Sequence, residues 1–285
     1  LPVLGSVLSA IFAAATAALV ADSVLRCGRN PIAATAAALG LAVSHTLWFH
    51  AVIPEVYALN ALFTALILWI PIRSCQRHGF PSARAAAGAC FLGGLGCLNH
   101  MLAALTTGAA VAWCFWRQPD WGRRGRIALV GLLAGLCGLA PLLWLISLDA
   151  ETYGLARSVR MALTGGSGIT GKALVSYGGA MGNISPSHLM VAAAGCLTAL
   201  LYNFPTLLIV ALAVGAVRRS CRIPGILLLP LAVAAIHFMF AITYAIHEFW
   251  AFLLPVWICL ALVAGVGLSS LLEDSRKRLR PAFQT

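Results

Sequence analysis

The chain has 285 residues, of which 61% are hydrophobic and only 9% are charged. Since a soluble globular domain carries roughly 25% charged residues, this chain cannot cover itself with a polar surface. The composition therefore excludes a soluble domain and indicates an integral membrane protein embedded in a lipid bilayer. The net charge of +11 would suggest a nucleic-acid partner in a soluble protein, but here it is better explained by membrane topology, and no nucleic acid is expected.

Apolar runs separated by short basic turns predict an all-α polytopic bundle of about nine transmembrane helices. The runs lie at residues 3–25, 32–50, 55–72, 85–99, 101–116, 127–148, 189–216, 224–243 and 249–271. Most approach the ~20 residues that an α-helix needs to cross a bilayer. We expect one transmembrane domain over residues 1–285, with a long extracytoplasmic loop at 149–188 and a cytoplasmic tail at 273–285.

The basic residues orient these spans. Of the 19 lysines and arginines, 16 fall in one set of alternate loops, and the other set holds only Arg157, Arg160 and Lys172. Because basic residues accumulate in cytoplasmic loops, the first set is predicted to be cytoplasmic, which places Leu1 outside and Thr285 inside. The excess of arginine over lysine, 17 to 2, is typical of GC-rich bacterial genomes, so we expect a bacterial cytoplasmic membrane.

The two short runs at 85–99 and 101–116 predict a helical hairpin. As one continuous helix they would extend roughly 50 Å, too far for a ~30 Å hydrocarbon core. The apex at Asn99 and His100 follows three glycines, Gly93, Gly94 and Gly96. Because lipid cannot satisfy an exposed backbone, we expect protein or a water-filled cavity around this apex.

The predicted topology gathers the titratable groups at the outer face. Four acids and four histidines lie there, at the outer ends of spans or in outer loops: Glu55, Asp149, Glu151, Glu248, His50, His100, His188 and His247. Ionisable groups in such places are functional candidates. We expect Glu55, His100 and Glu248 to converge in a cavity of roughly 300–1,000 Å³, the size of a small-molecule site.

Two interpretations of Glu55 stay open. It follows Pro54 at a helix start, where an acid in the first turn is ordinary capping chemistry. Alternatively, its carboxylate lies at the mouth of a cavity and binds a metal, an acceptor hydroxyl or a sugar.

The neighbouring polar residues have the same two interpretations. Tyr57, Asn60 and Thr64 share one helix face, either as polar contacts between helices or as part of a site. Asn99 and His100 either cap the hairpin turn or line the cavity.

Three segments resemble a known family. AVSHTLWFHAVIPEVYALNALFTALIL, with EVYALN at a helix start, resembles the signature of a bacterial membrane family of unknown function related to protein O-mannosyltransferases. GLGCLNHMLAAL resembles the glycine-rich segment of that family, which ends in an Asn-His pair. ITYAIHEFWAFLLPVWICLALVAGVGL resembles its Tyr-x-Ile-x-acid segment, with Glu248 where aspartate is usual. The resemblance covers residues 1–115 and the last two spans.

The resemblance implies a fold and an activity. The fold is that of the GT-C glycosyltransferase superfamily, whose members transfer a sugar, here mannose, from a polyprenyl-phosphate donor to a protein or glycan acceptor outside the membrane. Glu55, His100 and Glu248 are the implied catalytic residues, with Glu55 near the donor phosphate or a divalent metal ion. The implied substrate-binding residues are His50, Tyr57, Asn60, Asn99, Arg157, Arg160, Tyr244 and His247, of which the two arginines are candidates for contact with phosphate.

One departure from the family pattern leaves other functions open. In the family, a further span and an outer loop with the main catalytic carboxylate come first, and nothing like them precedes Leu1. We therefore expect an N-terminally incomplete chain. The alternatives are a secondary transporter, which would have buried polar groups near the bilayer midplane, and a non-catalytic membrane scaffold.

The asymmetry of basic residues makes the orientation testable. Single cysteines introduced at positions 120 and 160 should differ in their reaction with a membrane-impermeant thiol reagent added from outside. Position 160 should be labelled and position 120 should be protected. Labelling of position 120, or protection of position 160, would contradict the predicted orientation.

Overall fold

The computed structural model describes residues 2–164, 185–204, 225–243 and 249–279. Every regular element in these ranges is an α-helix, which confirms the predicted all-α class. The helices are α1 (Pro2–Gly28), α2 (Pro31–Ala42), α3 (His45–Val52), α4 (Val56–His78), α5 (Ala83–Asn99), α6 (Leu102–Trp116), α7 (Trp121–Tyr153), α8 (Leu155–Thr164), α9 (Pro186–Asn203), α10 (Leu228–Thr243), α11 (Phe249–Phe252) and α12 (Leu254–Leu279).

Several of these helices can cross a bilayer. In the described ranges α1, α4, α7 and α12 are long and apolar enough to do so, and α2 with α3 makes a fifth span if the bent pair is counted as one. Shorter apolar helices occur at Leu102–Trp116, Leu189–Asn203 and Leu228–Thr243. The chain is thus a multi-pass membrane protein by length and composition, while the number nine stays a prediction.

The predicted span at 32–50 is not one straight helix. It breaks between α2 and α3, whose axes differ by 61°. Ser44 has an extended backbone, with φ −63° and ψ 138°, and its hydroxyl donates to the carbonyl of Leu41 at 2.7 Å. The amide of Thr46 donates to Oδ1 of Asn203 on α9 at 2.8 Å. Protein groups therefore satisfy the interrupted backbone, as an apolar environment requires.

Two predicted boundaries also differ. The extracytoplasmic segment predicted at 149–188 is helical through its first part, because α7 continues to Tyr153 and α8 follows after Gly154. Its residues 165–184 lie outside the described ranges. The predicted cytoplasmic tail begins inside α12, which continues to Leu279. Apolar runs locate the lipid-embedded parts of helices, but a helix also continues through polar residues beyond the bilayer.

The predicted hairpin of α5 and α6 is confirmed, and its glycines pack against α7. A β-carbon on Gly94 would meet the carbonyl oxygen of Gly135, and one on Gly138 would clash with the carbonyl oxygen of Phe91. The backbones of α5 and α7 therefore approach closely because neither has a side chain at the crossing. This shields one side of the glycine-rich segment from lipid.

The last helix lies in the centre of the bundle. In the most apolar window of Leu254–Ser275, 78% of the residues are buried, against 11% for α7. α12 packs against α1, α2, α4 and α10. The exposed face of α7 carries leucines that suit a lipid environment, such as Leu132 and Leu133. α7 is therefore peripheral and α12 central.

A carboxylate of α1 contacts both its own helix and α4. Asp22 and Arg26 form an i,i+4 ion pair at 2.5 Å, and Trp69 of α4 donates its indole N–H to the same carboxylate. The eight cysteines in the part of the chain that the structure describes are all free.

The crossing of α5 and α7 predicts a steric effect. Gly138→Ala should lower the melting temperature in detergent, because overpacking of this kind typically costs about 1–3 kcal/mol. Gly108→Ala is the matched control, since a β-carbon there meets nothing within 4 Å. It should leave the melting temperature unchanged or raise it, because alanine favours helix. Equal melting temperatures for the two variants would contradict the close crossing.

Candidate functional site

Three helix boundaries at the predicted outer end bring polar and aromatic side chains together. They lie between α3 and α4, between α5 and α6, and between α11 and α12. We call the group that meets there the outer cluster, and its members are His50, Glu55, Tyr57, His100 and Phe252.

Glu55 contacts a histidine and does not cap its own helix with its side chain. It is the N-cap residue of α4, with extended backbone at φ −130° and ψ 165°, but its carboxylate accepts no capping hydrogen bond. Oε2 lies 3.3 Å from Nδ1 of His50. The Glu55 side chain is 44% exposed and the His50 side chain 2%. The side chain therefore makes no capping hydrogen bond and presents a carboxylate to the surface beside a buried imidazole. An interaction with the dipole of α4 stays open as the structural interpretation.

His50 is an unsatisfied polar group. Neither of its ring nitrogens has a hydrogen-bond partner within the described ranges, although Nδ1 is near Glu55. A buried donor or acceptor left unsatisfied costs about 1–3 kcal/mol. Because the Glu55 carboxylate is partly exposed, a rotation of that side chain can complete a hydrogen bond with Nδ1. The pair can therefore hold or pass a proton at the surface of the bundle.

Tyr57 connects the two histidines of the outer cluster. Its ring centroid lies 4.7 Å from that of His50 and 5.6 Å from that of His100. Phe252 lies 6.1 Å from Tyr57 and 5.7 Å from His100, edge-on to both. These distances are those of favourable aromatic pairs. The aromatic contacts therefore fix α3, α4, the hairpin apex and the start of the last span relative to one another.

The hairpin apex is held by its own polar residues. Asn99 donates from Nδ2 to the carbonyl of Val56 at 2.9 Å, and Nδ1 of His100 accepts from the amide of Leu102 at 3.2 Å. His100 thus caps the turn, while Asn99 ties the apex to the start of α4. Burial lowers the pKa of His100, so its ring is neutral at pH 7. Since Nδ1 accepts, the single ring proton is on Nε2, which is a hydrogen-bond donor.

Asn60 and Thr64 continue this face of α4 into the bundle. Both residues are 1% exposed, and Oδ1 of Asn60 and Oγ1 of Thr64 have no hydrogen-bond partner in the described part of the chain. Within the described ranges, these two oxygens therefore make no hydrogen bond between helices. Asn60 lies deeper than the outer cluster, about one turn inside Tyr57.

The remaining predicted site residues are not placed in the outer cluster. Arg157 and Arg160 are exposed on α8, which packs against α7, and the guanidinium of Arg157 lies 5.4 Å from the ring centre of Tyr153. Glu248, Tyr244 and His247 lie outside the described ranges. Glu55 contacts His50, and His100 contacts Tyr57. The shared cavity of Glu55, His100 and Glu248 stays a prediction.

The divalent metal that the resemblance implies stays a prediction. No group of three or more His, Cys, Asp or Glu side chains that could hold a metal ion occurs in the described residues. Glu55 and His50 are two possible ligands at the outer cluster, and His247 and Glu248 lie outside the described ranges.

Some residues at this end were not predicted from the sequence. Phe252 closes the outer cluster, but an aromatic residue in an apolar run gives no signal of its own. Asn203 satisfies the bend at Thr46, and its only signal is a lone amide at the end of an apolar run. Oγ1 of Thr106 on α6 and Nε2 of His237 on α10 lie 2.8 Å apart, and both residues are fully buried. The sequence shows that both residues are polar but does not indicate that they contact each other.

A family comparison covers the part of the chain that carries most of this geometry. Residues 4–123 match the family model described as the protein O-mannosyl-transferase TMEM260 N-terminal domain. The N-terminal part of the chain is related to protein O-mannosyltransferases. The match includes His50, Glu55, Tyr57 and His100 and ends before Phe252. No curated protein and no solved structure shows significant similarity to the chain.

The central position of Tyr57 makes its ring testable. Tyr57→Leu removes three ring contacts, each worth about 0.5–1.5 kcal/mol, and should lower the melting temperature in detergent. Tyr57→Phe keeps the ring, and its melting temperature should fall much less. The comparison separates the effect of the aromatic contacts from the effect of burying an apolar side chain. Equal losses in the two variants would show that the ring does not join the outer cluster.

Proposed function

We propose that this chain is a membrane glycosyltransferase of the protein O-mannosyltransferase kind. It transfers a sugar, with mannose the expected one, from a polyprenyl-phosphate donor to a protein or glycan acceptor on the extracytoplasmic side. We also propose the fold of the GT-C superfamily, which the sequence resemblance implies, and a location in a bacterial cytoplasmic membrane. The observation that carries it is that residues 4–123, which match the mannosyltransferase family model, hold the carboxylate–histidine pair of Glu55 and His50.

Glu55 is the proposed general base. Sugar transfer to a hydroxyl requires that a carboxylate or another base take the hydroxyl proton as the new bond forms. Glu55 suits this role because its carboxylate is partly exposed at a helix end and lies beside a buried imidazole. His50 is the proposed positioning residue, since a hydrogen bond from Nδ1 would orient the carboxylate. His100 offers an Nε2–H donor for a sugar or acceptor oxygen.

The donor phosphate needs positive charge as it leaves with the lipid carrier. Arg157 and Arg160 are the proposed contacts, because both are exposed on α8 and basic residues are otherwise rare on the predicted outer side. Two cations on one short helix suit a phosphate group through charge-assisted hydrogen bonds. Glu248, Tyr244, His247, Asn60 and Asn99 complete the proposed site, with Glu248 as a second carboxylate.

The charge of Glu55 separates this function from a structural role. In the full-length protein, Glu55→Gln should reduce sugar transfer from a polyprenyl-phosphate donor by about 100-fold or more, the usual contribution of a general base. The substitution keeps shape and hydrogen-bonding capacity but removes the charge. The assay would follow transfer of radiolabelled mannose in membranes, alongside melting of the purified protein in detergent.

Glu151→Gln is the matched control for this experiment. Glu151 is an exposed acid near the end of α7, and the same substitution there should leave transfer unchanged. Both variants should have the melting temperature of the wild-type protein. Near-normal transfer by Glu55→Gln would refute the proposed role of Glu55. The carboxylate would then only interact with the helix dipole, which contributes about 0.3–1 kcal/mol to stability.

A further inference from the structure

Two basic loops at the opposite end of the bundle pack against each other. They cover residues 73–84, from the end of α4 to the start of α5, and residues 117–126, from α6 into α7. Together they hold seven arginines and a single acid, Asp120. We call this pair of segments the basic face. It is predicted to be cytoplasmic, because it contains a large share of the basic residues that orient the chain.

Specific contacts join the two segments. Gln118 donates from Nε2 to the carbonyl of Pro81 at 2.9 Å, and Arg117 donates from Nη2 to the carbonyl of Gly79 at 3.2 Å. The guanidinium of Arg123 lies 4.7 Å from the ring centre of Phe80. The basic face is therefore one ordered surface and not two independent loops.

The charge of the basic face is only slightly compensated within it. Asp120 is the N-cap of α7, where it accepts from the amide of Arg123 at 2.8 Å, and it also pairs with the Arg123 guanidinium at 3.2 Å. The other arginines still outnumber this single acid, and Arg84 and Arg126 are exposed. An ordered surface with several surplus positive charges attracts an anionic partner.

An apolar groove leads from this surface towards the middle of the bundle. It lies between α6 and α10, has a volume of about 520 Å³, and is lined by Ala109, Ala112, Trp113, Trp116, Leu228 and Ala232 among others. Four of these residues belong to the last two turns of α6, which ends at the basic face with Trp116 followed by Arg117. The groove and the basic face are therefore continuous.

Tryptophans mark the level at which the groove meets the basic face. Trp116 is 61% exposed, and Trp121, at the start of α7, is 75% exposed. Exposed tryptophans are enriched where a membrane protein crosses from hydrocarbon to headgroups. Trp113 donates from Nε1 to the carbonyl of Gly225 at 3.0 Å, which ties α6 to the segment before α10 at the same level. The groove therefore lies within one leaflet and opens at its headgroup layer.

We propose that this end of the protein binds an anionic phospholipid of the cytoplasmic leaflet. One acyl chain lies in the groove between α6 and α10, and the phosphate contacts the arginines of the basic face. Charge complementarity selects the headgroup, because basic pockets between transmembrane helices on this side bind anionic lipids. The apolar groove selects a lipid over a soluble phosphate, since a soluble anion would leave it uncovered. This site is distinct from the outer cluster, which lies at the other ends of the same helices.

Native mass spectrometry tests the headgroup. The full-length protein, purified in detergent, would be mixed with phosphatidylglycerol or phosphatidylcholine of identical acyl chains. The wild-type protein should bind phosphatidylglycerol more tightly than phosphatidylcholine. The double variant Arg84→Gln/Arg126→Gln should lose about 30-fold in affinity for phosphatidylglycerol, as removal of two surface charges near an anionic lipid predicts. Arg29→Gln is the control. Arg29 is exposed between α1 and α2, outside the basic face, and this variant should bind phosphatidylglycerol as the wild type does.

A second variant tests the groove. Ala112→Phe/Ala232→Phe fills it from both helices and should weaken binding of phosphatidylglycerol while leaving the arginines in place. Both alanines line an open groove, and melting in detergent would verify folding. Unchanged lipid binding in this variant, or in Arg84→Gln/Arg126→Gln, would overturn the proposal. Displacement of phosphatidylglycerol from the wild-type protein by a short-chain polyprenyl phosphate at equal concentration would also overturn it, in favour of an isoprenoid site.

Discussion

The requirement that protein satisfy every interrupted stretch of backbone in lipid determines the outer end of this molecule. Side chains satisfy the interrupted backbone at two breaks in the described ranges. Asn203 accepts from the amide of Thr46 at the bend between α2 and α3, and His100 accepts from the amide of Leu102 at the hairpin apex. Asn99 donates to the carbonyl of Val56 and so ties the hairpin apex to the start of α4. Since an unsatisfied group costs several kcal/mol in hydrocarbon, the breaks must lie where such partners meet. Polar side chains therefore gather at this end for structural reasons first.

A functional site can arise from the same constraint. Glu55 begins α4 but its side chain makes no capping hydrogen bond, and neither ring nitrogen of the buried His50 has a hydrogen-bond partner in the part of the chain that the structure describes. The contacts of Asn99, His100 and Asn203, in contrast, join helix ends to one another or satisfy their backbone. Polar groups that lower the stability of a fold and have no structural role are concentrated at active sites. The Glu55–His50 pair is therefore the part of the outer cluster on which the proposed function depends.

Much of this architecture could be predicted from the sequence, and the failures have physical causes. The hairpin of α5 and α6 followed from the lengths of two apolar runs and from the arginines at both of their ends. The bend at Ser44 was missed because hydropathy averages across it, and its partner Asn203 is distant in sequence. His50 was found as a candidate, but its contact with Glu55 depends on the turn at Ile53 and Pro54. Phe252 was missed because aromatic packing between distant segments leaves no local pattern.

The central claim is that sugar transfer takes place at the outer cluster, and photo-crosslinking tests it most directly. A polyprenyl-phosphate mannose donor with a diazirine on the sugar would be bound to the full-length protein, irradiated, and its adducts mapped by mass spectrometry. The account predicts adducts on peptides that contain residues 50–57 and 99–101, which unlabelled donor should suppress. Suppressible adducts confined to α7 or to the groove between α6 and α10, with none on those peptides, would contradict it.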